Sequence, residues 1–137
     1  MKVVIDTNVF VSSFFGGNPR KVVDLWKQGQ LTLCLSKEII SEYTDVLSRI
    51  GLENQKELKE VLSLFARGLH SIFAGKTPVL KIVQDDTDDY KFIECEVALK
   101  AHYIISGDKA LKEVSEYMGI KILNPKEFLN REPWKKT

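Results

Sequence analysis

Cysteine and histidine are scarce in this chain. Two of each among 137 residues, Cys34, Cys95, His70 and His102, make no disulfide framework, and with no C-x-x-C pair neither zinc nor thiol redox chemistry has a local motif to rest on. The two thiols read as small core residues, and the reducing cytoplasm is the expected compartment. An excess of one charge is lacking too. Lys and Arg number 20 and Asp and Glu 19, for a net charge of +1, which excludes a protein that grips nucleic acid by bulk charge but not one with a local basic rim. No apolar run nears the ~20 residues of a membrane span, so no membrane association is expected. The opening Met1-Lys-Val-Val-Ile-Asp6 is too brief an apolar stretch for a secretory leader. Repeats and low-complexity segments are absent, which excludes solenoids and linker-joined domains.

What is present suffices for one core. At this length a domain buries roughly 68–70% of the surface of its unfolded chain, so residues 1–137 are expected to form a single domain, with about 131–137 as a C-terminal tail that includes Trp134. Short β-branched runs at Val3–Ile5, Leu31–Leu35, Val79–Val83, Tyr103–Ile105 and Ile120–Leu123 alternate with longer stretches of helical period. That alternation predicts an α/β fold with a parallel sheet. Helices are predicted from Pro19 to Gly29, from the cap Ser36 to Gly51, from Glu53 to Phe73, from the Asp85–Asp89 cluster to Ala101, from Lys109 to Gly119, and briefly from Pro125.

In an open parallel sheet, functional groups gather beyond the carboxyl ends of the strands. The first run ends in Asp6-Thr7-Asn8 and the fourth in Ser106-Gly107-Asp108, which brings two acids to one edge. Glu42 lies in the second turn of its helix, about 40° round from Val46 and so at the margin of the buried stripe. Asp89 closes the series Asp85, Asp86, Asp88, Asp89 where the next helix starts. Each acid alone can be a helix cap or a favourable charge at a helix N-terminus. Four together are harder to explain, because two carboxylates about 5 Å apart repel by roughly 3 kcal/mol at an effective dielectric near 20. Either some are protonated or a cation lies among them. Oxygen donors without Cys or His point to a hard ion, Mg²⁺ or Mn²⁺, which polarises phosphorus and activates water for hydrolysis of a phosphodiester.

The order and spacing of Val3-Val4-Ile5-Asp6-Thr7-Asn8-Val9, Ile39-Ile40-Ser41-Glu42-Tyr43, Asp86-Thr87-Asp88-Asp89-Tyr90-Lys91-Phe92 and Tyr103-Ile104-Ile105-Ser106-Gly107-Asp108-Lys109 resemble the PIN-domain family. Within it, the chain is similar to the small VapC-like toxins of prokaryotic toxin–antitoxin pairs. The resemblance implies a three-layer α/β/α fold with a central parallel sheet and endoribonuclease activity. It implies that Asp6, Glu42, Asp89 and Asp108 are the catalytic acids that hold one or two Mg²⁺ or Mn²⁺ ions. Thr7, Asn8 and Ser106, and Glu94 one turn past Asp89, would orient the carboxylates or the attacking water. Arg20, Lys21, Lys91 and Lys109 are the candidates for contacts to RNA phosphates. An RNA substrate, a small antitoxin and a second copy of the chain are the implied partners, and an apolar helix face bearing Phe65, Leu69 and Phe73 is the candidate contact for the last two.

The chain departs from the family pattern at Tyr90, where an acid is often expected, which leaves Asp86 and Asp88 open as outer members of the site, and at His102, where Asp is usual. Phe14-Phe15 reads as core packing, with base stacking the alternative. A receiver-like domain would want paired acids after the first strand and a Lys after the last. A dehalogenase-type phosphatase would want an acid where Asn8 stands. A catalytically silent PIN fold that binds RNA or protein is the remaining alternative.

Overall fold

Val3, Val4, Ile5, Leu33, Cys34, Leu35, Ile104 and Ile105 have no solvent exposure. Strands without a wet face belong inside a parallel sheet covered by helices on both sides. The computed structural model describes residues 1–52, 56–75 and 90–135. Among these the strands β1 (Lys2–Ile5), β2 (Thr32–Leu35), β3 (Ser71–Phe73), β4 (Tyr103–Ile105) and β5 (Ile122–Leu123) form one parallel sheet in the order β3-β2-β1-β4-β5. The helices are α1 (Thr7–Ser12), α2 (Gly17–Lys27), α3 (Lys37–Arg49), α4 (Lys56–Arg67), α5 (Tyr90–Leu99), α6 (Lys109–Tyr117) and α7 (Pro125–Arg131). They complete the three-layer α/β/α architecture. Local chemistry sets the starts of several: Ser36 accepts the Ile39 N–H at 3.2 Å to open α3, and Asn124 and Glu127 form a reciprocal capping box at α7.

The helix expected from Glu53 to Phe73 is corrected. It ends at Arg67, because Gly68 and His70 take left-handed φ angles of 65° and 55°, and a strand follows. Leu69, Ile72 and Phe73 continue the apolar period of α4 and so mimic it, but Ser71–Phe73 pair in parallel with β2. The His70 carbonyl locks this corner, accepting from Leu33 N–H at 2.8 Å and from Trp26 Nε1 at 2.9 Å. Opposite, Gly29 has a φ of 84°, and a Cβ there would lie 2.9 Å from His70 Cε1. The strand expected at Val79–Val83 and the Asp85–Asp89 cluster lie outside the described residues.

Phe10, Tyr43, Phe65 and Trp26 form an aromatic core cluster, with Phe10 stacked on Tyr43 at 4.0 Å. Phe65 therefore belongs to the chain's own core rather than to an open face, whereas Phe73 is 44% exposed on the edge strand β3. The Phe14-Phe15 pair splits: Phe14 packs edge-on to Phe10, and Phe15 is 72% exposed. Trp134, expected in the tail, instead stacks on buried Phe128 at 5.1 Å. Cys34 and Cys95 are buried and unbridged. Burial raises their thiols to about 11 and about 12, so both keep their protons at neutral pH. Among the described residues no helix is long and apolar enough to cross a membrane.

Candidate functional site

The chain builds β1, β2 and β3 outward to one side, then returns to place β4 and β5 on the other side of β1. The order reverses between β1 and β4, and the crevice beyond the carboxyl ends at such a switch point is the usual ligand site of open α/β sheets. Ile5 pairs with Ile105, and the Asp6 N–H donates to Ile105 O at 3.1 Å. Asp6 therefore leaves β1 beside Ser106 as it leaves β4.

A chain of hydrogen bonds joins the two strand ends. Ser106 Oγ donates to Asp6 Oδ2 and accepts the Asp108 N–H at 3.0 Å. Asp6 Oδ1 accepts the Val9 N–H at 2.8 Å and so caps the short helix α1, which precedes the first helix expected from the sequence, at Pro19. Asp108 Oδ1 caps α6 by accepting the Leu111 N–H at 3.1 Å. Capping and facing the cleft are thus combined in the same carboxylates. The cleft itself, about 350 Å³, is lined by Asp6, Asn8, Val9, Ser12, Pro19, Gly107, Asp108 and Pro125.

Glu42 reaches the neighbourhood from α3. Its Oε1 accepts from Thr7 Oγ1 and its Oε2 from the Lys91 ammonium, in an ion pair whose side chains are 27% and 17% exposed. Below it, fully buried Tyr43 donates its hydroxyl to the Ile5 carbonyl, which ties α3 to the last residue of β1. Asp6 is only 5% exposed, and burial above all raises its carboxyl to about 6. The Ser106 hydroxyl and the Val9 N–H pull it back down, while the negative charges of Asp108 and Glu42 push it further up. Asp6 therefore senses both of the other described acids.

The other candidates fall as follows. Asn8 is exposed on the cleft wall, Lys109 is exposed at the start of α6, and Lys21 is exposed on α2. Arg20 is committed to the Ser13 and Phe14 carbonyls at 3.0 and 2.9 Å and to Glu57 at 3.0 Å. Glu94 lies half-buried on α5. His102 Nδ1 accepts the Lys2 N–H at 3.0 Å. Asp89, with Asp86 and Asp88, lies outside the described residues. Sequence reasoning missed the tie made by Tyr43, and it missed Pro125, which the strand-end rule points to because β5 closes at Leu123.

Among the described residues no three His, Cys, Asp or Glu side chains are grouped closely enough to hold a metal ion alone. The donor chemistry still fits a hard divalent ion. Mg²⁺ keeps several waters and needs only one or two carboxylates from the protein. Burial first, and then the charges of Asp108 and Glu42, raise Asp6, and an ammonium already rests on Glu42 where positive charge is wanted.

Comparison with known proteins agrees with the architecture. The sequence profile of a family described as PIN domain matches residues 2–110. An uncharacterized protein of Methanocaldococcus jannaschii, MJ1680, is 33% identical over 143 aligned positions, covering 94% of this chain and 90% of the relative.

Proposed function

The chain belongs to the PIN-domain family, and from that premise we propose that it is a Mg²⁺- or Mn²⁺-dependent endoribonuclease. PIN domains are commonly nucleases and generally depend on a divalent metal, which supports hydrolysis as the reaction class. The observation that carries the reading is the joining of Asp6 and Asp108 through Ser106 at the switch point, with Glu42 near enough to raise Asp6.

In this reading Asp6, Glu42, Asp108 and Asp89 hold the ion. When bound, it supplies the charge that polarises a phosphodiester and eases the ionisation of water. The chain's own groups do the positioning. Ser106 holds the Asp6 carboxylate by its hydroxyl and Asp108 by its main chain, and Thr7 holds Glu42. Asn8 faces the incoming strand, and Lys21 and Lys109 meet phosphates. Arg20 would have to leave Glu57 to join them. By likeness to VapC-like proteins we further propose the toxin role, as a cytoplasmic homodimer neutralised by a small antitoxin. The exposed edge near Ile72 and Phe73 is a candidate contact.

Purified protein incubated with mixed RNA and Mn²⁺ tests the reading. Cleavage should stop on chelation and on Asp6→Asn. Equal degradation with chelator, or full activity of the variant, overturns it; RNA binding without cleavage would instead mark a silent binding module. Growth arrest on expression, relieved by Asp108→Asn, tests the toxin role separately.

A further inference from the structure

We propose that Lys91 is a built-in counter-cation of the cleft, which a divalent ion must displace from Glu42 in order to bind. The inference rests on the reading of Asp6, Glu42 and Asp108 as metal ligands. Lys91 stands one residue into α5, a helix that packs on β1, β2 and β4. Its ammonium donates to Glu42 Oε2 while Thr7 holds Oε1, so both carboxylate oxygens are engaged before any ion arrives.

The chemistry of the two cations makes the exchange workable. An ammonium is a point charge on a flexible four-carbon stem, free of the fixed fork that lets a guanidinium clamp a carboxylate. It can offset part of the repulsion among the acids yet yield when a doubly charged ion offers more. The pair is also largely shielded, its side chains 17% and 27% exposed, so solvent screens it less than a surface pair. An incoming divalent ion meets Lys91 as a like charge at the very carboxylate it needs. Lys91 thereby keeps Glu42 in position while the metal is away, and it weakens metal binding by the work of its own removal.

The test is Mn²⁺ binding to the full chain by titration calorimetry. Lys91→Gln should bind Mn²⁺ roughly tenfold more tightly than the wild type, the scale of one removed charge acting through a partly screened medium. Lys91→Arg, which keeps the charge, should bind no more tightly than wild type. Without metal, Lys91→Gln should melt lower than wild type, and saturating Mn²⁺ should narrow that gap. Equal or weaker Mn²⁺ binding by Lys91→Gln overturns the proposal, as does equal tightening by Lys91→Arg. If Lys91→Gln folds poorly, Lys91→Met keeps the stem and removes the charge, with the same expectations. Failure of the functional reading looks different: the wild type itself would bind no Mn²⁺, and Glu42→Gln would change nothing.

Discussion

Two places in this molecule bury titratable groups under the same kind of cover, and they behave oppositely. Cys34 on β2 and Cys95 on α5 have no exposure, and burial lifts their thiols to about 11 and about 12. Both are neutral at pH 7, and their burial carries no electrostatic penalty there. At the carboxyl edge, Asp6 is almost as enclosed, but its upward shift ends at about 6. It is mostly ionised at neutral pH and remains so against its surroundings. Burial silences a group whose ordinary value already lies above pH 7; it leaves a carboxylate charged and under electrostatic stress. Such stress at a cleft marks a functional place better than burial or acidity alone.

Exchanging single groups breaks the comparison most sharply. Asp6→Asn or Asp108→Asn should lower Mn²⁺-dependent RNA cleavage at least about a hundredfold, some 3 kcal/mol of barrier, measured as initial rates on a labelled RNA. Cys34→Ala should leave that rate within about twofold if the enzyme remains folded. Stability should move the other way. Because the folded Asp6 carboxyl lies at about 6 against an ordinary 3.8, the native state binds the extra proton in that window. Its contribution to stability is complete below pH 4 and is lost as pH rises through 6. Asn keeps an oxygen for the cap but carries no charge. Metal-free Asp6→Asn should therefore be more stable than wild type at pH 7.5 by on the order of 2–3 kcal/mol, and the gain should vanish near pH 4 in denaturant titrations. A variant that is less stable at both pH values would mean the cap outweighs the charge.

Added metal sharpens the same contrast. Mn²⁺ at a hundred times its dissociation constant should stabilise the wild type by about 2.7 kcal/mol, read as a higher melting temperature, and should do little for Asp6→Asn. Ser106→Ala is a milder change than loss of an acid: it removes the hydroxyl that holds Asp6 and should cost about 10- to 100-fold in rate. It should also shift the pH at which the Asp6 contribution disappears upward, since that hydrogen bond lowers the carboxyl's pKa.

How much of this was legible in the sequence depended on burial. The runs at Val3–Ile5 and Tyr103–Ile105 announce strands because neither face can be wet, and their ends announce Asp6 and Asp108. Ser71–Phe73 stayed hidden because three residues cannot display a period of their own, and Ile72 and Phe73 borrowed that of α4; Gly68 was the signal that the helix had stopped. The six residues of α1 are too few for a stripe, although Asp6 was the cap that predicts it. The site was legible as a set of acids at strand ends but not as a set of partners. Nothing in the spacing tells that Ser106 bridges Asp6 to Asp108, that Tyr43 anchors α3 to Ile5, or that Lys91 chooses Glu42 over solvent, because these contacts cross the fold.

The pairing of Ile5 with Ile105 has a consequence for when the molecule can act. Asp6 and Ser106 are a hundred residues apart in sequence, so their meeting requires the fourth strand to be laid beside the first. Until then the early half of the chain carries Asp6 without the hydroxyl that holds its carboxylate. The two strand ends that wall the cleft are complete only with the closing of the sheet.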